Sequence, residues 1–377
     1  MKKAAEFFKK ETVLTVAWVL AVVSMFIVRP DKEYIEYIDF GTLGILFCLM
    51  AVMAGLRKCG FFEMIAGKLL KLSGSMRGLE LILVLLCFFF GMLITNDVAL
   101  ITFVPLALEV LRVSDRKDRV IPVVVMQTIA ANLGSMATPI GNPQNLYLYA
   151  KSGQSFNQFI VLMLPYTLIS FAVIVMTVVV LAGKAGKDKP DTGDMKAKRA
   201  DKPTLLKELV YIALFLLSIM VVVRIIPVEI MVIAIAIIVL VMDRDVLLKI
   251  DYSLLITFTG FFIFVGNMGR IPQFQAFLSG VLIGNEFLTA ALLSQVVSNV
   301  PAAILLSGFT ADYRSLIIGT NIGGLGTLIA SMASLISYKF AAKEYPEKKG
   351  KYLLYFTVVN VIYLAAMVIC HFALLTK

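Results

Sequence analysis

The chain has little of what most enzyme active sites are built from. Its 377 residues include a single His and four Cys, and no two of the Cys are spaced as CxxC. Zinc-type metal centres and histidine-based catalysis therefore lack ligands and bases. Neither a G-x-S-x-G nor an H-E-x-x-H pattern occurs, so the sequence indicates a protein that is not an enzyme and needs no cofactor.

Charged residues are scarce as well. Only 16% of the residues are charged, 60% are hydrophobic, and the mean hydropathy is +0.91, whereas soluble domains are about 25% charged and about 45–50% apolar. This composition excludes a soluble enzyme, a secreted disulfide domain and a disordered chain, and it indicates a bilayer environment. The net charge of +10 comes from basic loops between apolar runs, which is the positive-inside pattern and not a nucleic-acid surface.

Apolar runs recur along the whole chain and predict an all-α, multi-pass integral membrane protein. A crossing helix needs roughly 20 apolar residues, and nine runs are interpreted as full crossings: 12–28, 40–56, 120–150, 157–182, 209–223, 228–242, 252–268, 315–338 and 352–372. Because basic loops stay in the cytoplasm, the N-terminus is expected inside and the C-terminus outside, in a bacterial inner membrane. No signal-peptide cleavage site is evident after the first run.

A basic linker, 183–207, divides the chain into two halves. It is rich in Lys, contains Pro and Gly but no apolar run, and is expected to lie in the cytoplasm. The first repeat is therefore 1–182 and the second repeat is 208–377.

Each half contains one segment that is predicted to form a re-entrant hairpin. The segment 78–111 is basic at both ends, and its arms of roughly 15 residues are too short for two crossings, so it is expected on the cytoplasmic side. The segment 274–312 has no Lys or Arg and is expected outside. The polar tips, Thr95-Asn96-Asp97 and Ser298-Asn299-Val300-Pro301, are expected to line a site, because polar backbone at membrane depth must be packed in protein or line a cavity.

The second half also repeats a pattern that breaks helices. The matching residues are Asn132, Gly134 and Thr138 in the first half and Asn321, Gly323 and Thr327 in the second. Gly and Pro predict breaks in the helices 120–150 and 314–340. This is an inverted-topology duplication with two re-entrant hairpins and two broken helices, as in secondary transporters. Such breaks present helix N-termini to anions and free carbonyl groups to small cations.

These motifs resemble the ion transporter superfamily, which includes citrate–metal symporters, arsenite permeases and divalent-anion/sodium symporters. T-N-D-V-A-L-I-T-F-V-P-L at 95–106 is similar to arsenite permeases, and S-M-A-T-P-I-G-N-P-Q-N at 135–145 is similar to the citrate-transporter-like and antiporter branches. Dicarboxylate symporters carry Ser-Asn-Thr at both tips, and this chain lacks the final Thr twice. The resemblance implies an elevator motion, in which the hairpins and broken helices move against a scaffold that forms a homodimer.

The resemblance also implies the composition of the site. Two cation sites are expected, one in each half, formed by Thr95, Asn96, Asp97, Asn132 and Gly134 and by Ser298, Asn299, Asn321 and Gly323. The substrate is expected to contact Thr138, Asn145 and Thr327 together with Asn96, Asp97 and Asn299. With no fixed positive charge evident at the centre, a small anionic substrate would be bound by helix N-termini, hydroxyls, amides and co-transported cations.

Asp97 is the one acidic residue expected near the membrane midplane, where a carboxylate is expensive and indicates function. It is expected either to bind Na⁺ or carry H⁺, or to cap the helix 98–111. The first hypothesis is transport of a small anion or oxyanion, such as citrate or an arsenite-like species, coupled to Na⁺ or H⁺. The alternatives are a Na⁺/H⁺ antiporter that uses Asp97, and a membrane enzyme or channel. Glu80 and Glu109 are expected to pair with Arg77 and Arg112 at the hairpin mouths.

Overall fold

The computed structural model describes residues 11–183 and 204–375, and all of the regular structure in these ranges is helical. The first half contains helices α1 (Thr12–Ile27), α2 (Glu33–Tyr37), α3 (Phe40–Lys58), α4 (Phe61–Leu70), α5 (Met76–Ile94), α6 (Asn96–Val113), α7 (Val120–Ser135), α8 (Pro143–Ser152) and α9 (Phe156–Ala182). The second half contains α10 (Thr204–Val222), α11 (Val228–Leu247), α12 (Tyr252–Gly269), α13 (Pro272–Leu282), α14 (Glu286–Val297), α15 (Asn299–Ser307), α16 (Tyr313–Ile322), α17 (Met332–Glu344) and α18 (Lys349–Leu375). Most of the predicted linker 183–207 lies outside the described residues.

Several of these helices have the length and composition of membrane spans. Six in the described ranges qualify singly: Phe40–Lys58, Met76–Ile94, Phe156–Ala182, Leu205–Val222, Tyr252–Gly269 and Pro346–Leu375. The pair α13 and α14, bent by 108°, makes a seventh if it is counted as one span. The predicted multi-pass, all-α membrane protein is therefore confirmed, while the count of nine crossings and the positions of the two ends stay predictions.

The outer surface of the bundle suits lipid. Helix α11 buries Met231, Ile235 and Val239 on one face and exposes Ile230, Ile233 and Ile237 on the other. A helix that is apolar on both faces is stable only when the exposed face meets hydrocarbon instead of water.

The elements of the two halves follow in the same order. In both halves an Asp begins the first helix of the series: Asp39 accepts a hydrogen bond from the Thr42 amide and Asp251 from the Leu254 amide. Next come a short helix (α4 or α13) and the two packed arms of a hairpin. They are followed by two helices on either side of a break and by a long final helix. The final helices α9 and α18 each have 27 residues.

The two hairpin tips have the same unusual backbone. Thr95, between α5 and α6, has φ +79°, and Ser298, between α14 and α15, has φ +77°. This combination of positive φ with ψ of +145° and +153° is strained for a residue with a side chain and occurs chiefly where surrounding structure enforces it. It allows the chain to reverse at a single residue, so that the next helix begins at Asn96 or Asn299.

The hairpin arms differ in length from the prediction. In the first half they have 19 and 18 residues, and α5 alone could span a bilayer. In the second half the arms α14 and α15 have 12 and 9 residues, and the range 274–282 belongs entirely to the separate helix α13. Re-entry of 78–111 and 274–312 from one side of the membrane stays a prediction.

Both helix breaks lie where Gly and Pro predicted them. Helix α7 ends at Ser135 and α8 begins at Pro143, within 120–150; α16 ends at Ile322 and α17 begins at Met332, within 314–340. Glycine is required because the breaks press against the hairpin arms. A Cβ on Gly134 would lie 2.1 Å from the Phe88 carbonyl oxygen, and one on Gly323 would lie 2.8 Å from the Cα of Ala291.

One buried ion pair joins the first hairpin to the first broken helix. Glu80, 2% exposed, accepts two hydrogen bonds from Arg119, at 2.7 and 2.8 Å. The predicted pairs of Glu80 with Arg77 and of Glu109 with Arg112 are therefore wrong, and Arg112 instead lies 3.9 Å from Glu344. Packing brings together helices that are distant in sequence, and proximity along the chain could not show this.

Candidate functional site

The first hairpin tip meets both breaks at Asn132. The Asn96 side-chain amide donates to Asn132 Oδ1 over 3.1 Å, and the hydroxyl of Ser331 donates to the same oxygen over 3.1 Å. The Asn132 amide in turn donates to the Gly324 carbonyl oxygen over 3.3 Å. The tip of the first hairpin is thereby connected, through one side chain, to the second break.

The reciprocal arrangement surrounds Asn321 of the second half. The Asn142 amide donates to Asn321 Oδ1 over 3.1 Å and to the Ser135 hydroxyl over 3.0 Å. The Asn321 amide donates to Asn145 Oδ1 and to the Ile317 carbonyl oxygen. We call the two contacts Asn132–Ser331 and Asn142–Asn321 the crossing. Asn132 and Asn321 lie in the last turn of the helix before each break, and Asn142 and Ser331 are the caps of the helices that follow the breaks. In each contact, a residue before one break bonds to the cap after the other break.

The second hairpin tip reaches the same region through its backbone. The Asn299 amide N–H donates to the Ala330 carbonyl oxygen over 3.0 Å, one residue before Ser331 of the crossing. Ser298 and Asn299 are 1% and 4% exposed. The structure therefore brings the predicted residues of both halves, Asn96, Asn132, Asn299 and Asn321, to one buried polar centre.

Thr138 and Thr327 take a different role from the predicted contact with substrate. The Thr138 hydroxyl donates to the Met92 carbonyl oxygen, and the Thr327 hydroxyl donates to the Gln295 carbonyl oxygen over 2.9 Å. Met92 and Gln295 each lie three residues before a tip. The two threonines thus fasten each break to its own hairpin arm, and neither lines the cavity described next.

A cavity of about 360 Å³ opens beside the first tip and the first break. Its apolar wall is formed by α3, with Leu46, Leu49, Met50, Met53 and Ala54. Thr95 and Asp97 of the tip and Asn142 and Pro143 at the start of α8 also line the cavity. Small-molecule pockets have volumes of about 300–1,000 Å³, so this one suits a small substrate.

Four charged residues line the cavity: Arg57, Asp97, Lys249 and Asp251. Arg57 ends α3, and Lys249 and Asp251 lie between α11 and α12. No ion pair of Arg57, Asp97 or Lys249 is seen in the described ranges, while Asp251 caps α12. Arg57 and Lys249 provide the positive charges that were not expected from the sequence.

Asp97 lies in the first turn of α6 and is not its cap. Thr95 is the N-cap residue, and the Asp97 N–H itself donates to Asn96 Oδ1 over 2.9 Å. Among the described residues its carboxylate has no hydrogen-bond partner. The interpretation of Asp97 as a simple cap is therefore wrong, and its carboxylate stands free at the cavity wall.

Two helix N-termini converge on this cavity. Helix α6 begins beside Thr95, and α8 begins at Pro143 with Asn142 as its cap, accepting a hydrogen bond from the Asn145 amide. Helix N-termini carry partial positive charge and unpaired N–H groups, which favour anions. Together with Arg57 and Lys249, they make this wall suitable for a small anion beside a carboxylate.

Sequence reasoning missed several residues of this centre. Asn142 could have been identified, because Asn followed by Pro before a helix is a start signal. Ser331, Arg57 and Lys249 carry no local signal, because their partners come from distant helices. Gln144, next to the predicted substrate contact Asn145, is 1% exposed, and its Nε2 has no hydrogen-bond partner in the described part of the chain.

No ready-made metal centre is present in residues 11–183 and 204–375, since no group of three or more His, Cys, Asp or Glu side chains could hold a metal ion. A cation at this site would be bound by carbonyl, hydroxyl and amide oxygens with at most one or two carboxylates. This donor set is of the hard-oxygen type that suits Na⁺ and other hard cations.

A bundle of apolar helices whose buried polar centre opens into a small-molecule cavity defines the class of protein: a multi-pass membrane transporter. The chain belongs to the citrate transporter family, which it matches over residues 7–313. The superfamily that the motifs resemble is thereby confirmed.

Individual relatives are also membrane proteins or transporters. An uncharacterized transporter of Methanocaldococcus jannaschii is 30% identical over 345 residues, which cover 91% of this chain and 92% of that protein. The inner membrane protein YbiR of Escherichia coli is 31% identical over 330 residues, 84% of each chain. A silicon efflux transporter of Oryza sativa subsp. japonica is 32% identical over 139 residues, 37% of this chain and 28% of that protein.

Proposed function

We propose that this protein is a secondary active transporter that moves a small anion across the membrane, coupled to Na⁺ or H⁺. The observation that carries the proposal is the cavity beside the first tip. There the unpaired Asp97 carboxylate lies on the same wall as two helix N-termini, in a cavity that Arg57 and Lys249 also line. A site with both signs of charge can bind an anion together with a cation or proton.

The substrate class follows from the size and charge of this cavity. A volume of about 360 Å³ suits a carboxylate of the size of citrate or a smaller oxyanion. The apolar side chains of α3 would contact carbon atoms, and the polar groups at the tip and at the start of α8 would contact carboxylate or oxyanion oxygens. The family is that of citrate transporters, while one relative is named for silicon efflux, so both substrate types are tested below.

Coupling is assigned to Asp97. A carboxylate with no protein partner at a membrane-embedded cavity is stabilised by a bound cation or by protonation. If the anion binds better when Asp97 is neutralised, the cation or proton and the anion load together. This accounts for symport without a metal centre.

The proposed motion is that of an elevator built on an inverted repeat. Two features support it: the same order of elements in both halves, and the reciprocal crossing of the two breaks. The hairpins and breaks would move together, and α1, α3, α11 and α12 would form the scaffold of a homodimer. We place the protein in a bacterial inner membrane, with the N-terminus in the cytoplasm and the C-terminus outside.

The two faces of the moving unit differ in a way that fits one end state of such a motion. Beside α3 the cavity is open, whereas beside α12 the Tyr147 ring packs on Phe262 and Phe258, with ring centroids 5.4 and 6.3 Å apart. The Tyr147 hydroxyl also lies 2.8 Å from Ser307 Oγ. The α3 side therefore borders a cavity, while the α12 side beyond Leu254 is filled by aromatic contacts.

The test is uptake into proteoliposomes of the purified protein. Labelled citrate, arsenite and silicic acid are offered with a Na⁺ gradient, a pH gradient, both or neither. Arg57→Gln should lower anion uptake by about tenfold or more, because a charge-assisted hydrogen bond contributes about 1.5–3 kcal/mol. Arg112→Gln, at an exposed arginine away from the cavity, is the control. Uptake that is indifferent to both gradients, or equal in the two variants, would overturn the proposal.

A second candidate, a Na⁺/H⁺ antiporter, rests on the same free carboxylate of Asp97. In that case Na⁺ alone, with no anion present, should drive proton movement into liposomes loaded with a pH-sensitive dye. Proton movement that requires the anion supports symport, and anion-independent exchange that is lost in Asp97→Asn supports the antiporter.

A further inference from the structure

The side chain of Gln295 is inserted into the second break. It lies on α14, one turn before the Ser298 tip. Its Nε2 donates to three carbonyl oxygens: Ala291 at 3.1 Å, Gly323 at 2.8 Å and Leu325 at 2.9 Å. Its Oε1 accepts from the Thr327 amide N–H at 2.9 Å. These partners fix the orientation of the amide, because a flipped side chain would place oxygen against three acceptors.

Two of the three carbonyl groups that Gln295 binds are those that an unwound helix offers to a cation, while the third, that of Ala291, belongs to α14 itself. Gly323 and Leu325 lie immediately after α16, where the chain leaves the helix and its carbonyls lose their intrahelical partners. The amide NH₂ group supplies partial positive charge at the point where a cation would do so. Gly326 closes the space: it has φ +101°, and a Cβ there would lie 2.3 Å from Gln295 Oε1.

The first half has the opposite arrangement. Met92 occupies the place of Gln295, three residues before the tip. Its carbonyl oxygen accepts a hydrogen bond from the Thr138 hydroxyl, just as the carbonyl oxygen of Gln295 accepts one from the Thr327 hydroxyl. A thioether has no N–H to donate. One residue after the tip asparagine, the first half has Asp97, whereas the second half has Val300. In the first break the carbonyl oxygens of Ser135 and Thr138 receive the side-chain amide of Asn145, at 3.4 and 3.2 Å, which comes from α8 and not from the hairpin arm. The first half therefore has an acid at its tip and no amide from its hairpin arm, and the second has an amide from its hairpin arm and no acid.

We infer that the Gln295 amide replaces a cation in the second break, so that the protein has a single cation- or proton-binding site, the one at Asp97. Two cation sites, one in each half, are expected from the sequence, and the Gln295 amide takes the place of the second. It rests on the proposed function, since it specifies how many coupling ions that function uses. A transporter with one such site couples each substrate to one ion at the first tip.

The experiment compares thermal unfolding of the full-length protein in NaCl and in choline chloride at equal ionic strength. Because a ligand that binds only the folded state raises Tm, a Na⁺-specific rise reports a cation site. Asp97→Asn should show no Na⁺-specific rise. Adding Gln295→Glu to Asp97→Asn should create a Na⁺-specific rise in Tm, since a carboxylate then faces the carbonyls of Gly323 and Leu325. Its dependence on Na⁺ concentration should have a Hill coefficient near one. Gln275→Glu, at an exposed glutamine of α13, is the control and should create none.

Two outcomes would overturn the inference: a Na⁺-specific rise that persists in Asp97→Asn, or no gain from Gln295→Glu. Where Gln295→Glu does not fold, Gln295→Met decides. Gln295→Met places a methionine where the first half has Met92. We expect this variant to have a lower Tm than the wild-type protein, and Na⁺ should restore part of that loss. An equal loss in both salts would count against the inference. Failure of the proposed function appears separately, as uptake by the wild-type protein that ignores both gradients.

Discussion

At the scale of single residues, the polar side chains of the site fall into two groups. The asparagines of the crossing have protein partners: Asn132 and Asn321 each bond to at least three groups through one side chain. Asp97, Arg57 and Lys249 line the cavity without a described partner for their charges. The first group builds the centre, and the second group is available to a substrate and a coupling ion.

Asp97→Asn tests the proposed coupling role of Asp97 without disturbing the polar centre. The substitution preserves shape, leaves the Asn96 contact to Asn132 in place, and removes the ionisable oxygen. We expect the dependence of uptake on Na⁺ or pH to be lost while Tm in the absence of ligand stays the same or rises, because an unpaired carboxylate at membrane depth is unfavourable. Uptake is measured against pH and Na⁺ concentration, with Asp118→Asn at an exposed aspartate as the control. An unchanged ion dependence would contradict the assignment.

At the scale of elements, close helix packing depends on Gly134. A Cβ there would overlap the Phe88 carbonyl oxygen at 2.1 Å, and the three nearest atoms are all backbone atoms of Phe88, so no flexible side chain can move aside. Gly134→Ala should therefore lower the free energy of unfolding by about 1–3 kcal/mol, measured as a fall in Tm.

Gly280→Ala is the matched control for Gly134→Ala. It lies in α13 with nothing within 4 Å of a new Cβ, so it should gain about 0.5–1 kcal/mol from the lower entropy of the unfolded chain. Equal responses of the two variants would show that the packing of α5 on α7 is looser than described.

The Glu80–Arg119 pair makes a second prediction at this scale. Arg119→Leu leaves a buried carboxylate without its partner and should destabilise by about 3–5 kcal/mol. The double variant Glu80→Leu/Arg119→Leu should recover most of that loss, because no charge is then buried. Tm of both variants is the measurement. A double variant no more stable than the single one would mean that the pair itself, and not the uncompensated charge, holds the hairpin to α7.

The elements were more predictable from the sequence than their contacts. Gly134, Pro139 and Gly141 locate the first break because their conformational preferences are local. The tips at Thr95 and Ser298 were found because polar residues interrupt apolar runs. The Glu80–Arg119 pair and the bond of Asn132 to Ser331 were missed, because they depend on packing between distant helices. The arm lengths were also missed, since apolar arms carry no signal for where they leave the membrane.

At the scale of the whole molecule, the elevator predicts alternating exposure of two scaffold helices. Met50 lies eleven residues after the cap Asp39 and lines the open cavity; Phe262 lies eleven residues after Asp251 and is 4% exposed against Tyr147. In a cysteine-free background, Met50→Cys should react with an impermeant maleimide from one side of the membrane, and Phe262→Cys should be protected. Conditions that favour the opposite end state should reverse the two rates. Rates that change in the same direction would contradict the elevator.

The crossing also has a consequence for how the protein is made. Asn132 precedes its partner Gly324 by 192 residues, and Asn142 precedes Asn321 by 179. At about 5–20 residues per second, a ribosome needs roughly 10 to 40 s to cover the longer interval. For that time the first half lies in the membrane without these partners for its amides, and the Asn142 amide has Ser135 alone to bind. The polar centre is therefore assembled only after synthesis of the second break, and a chain that stops before residue 321 leaves those amides without these partners.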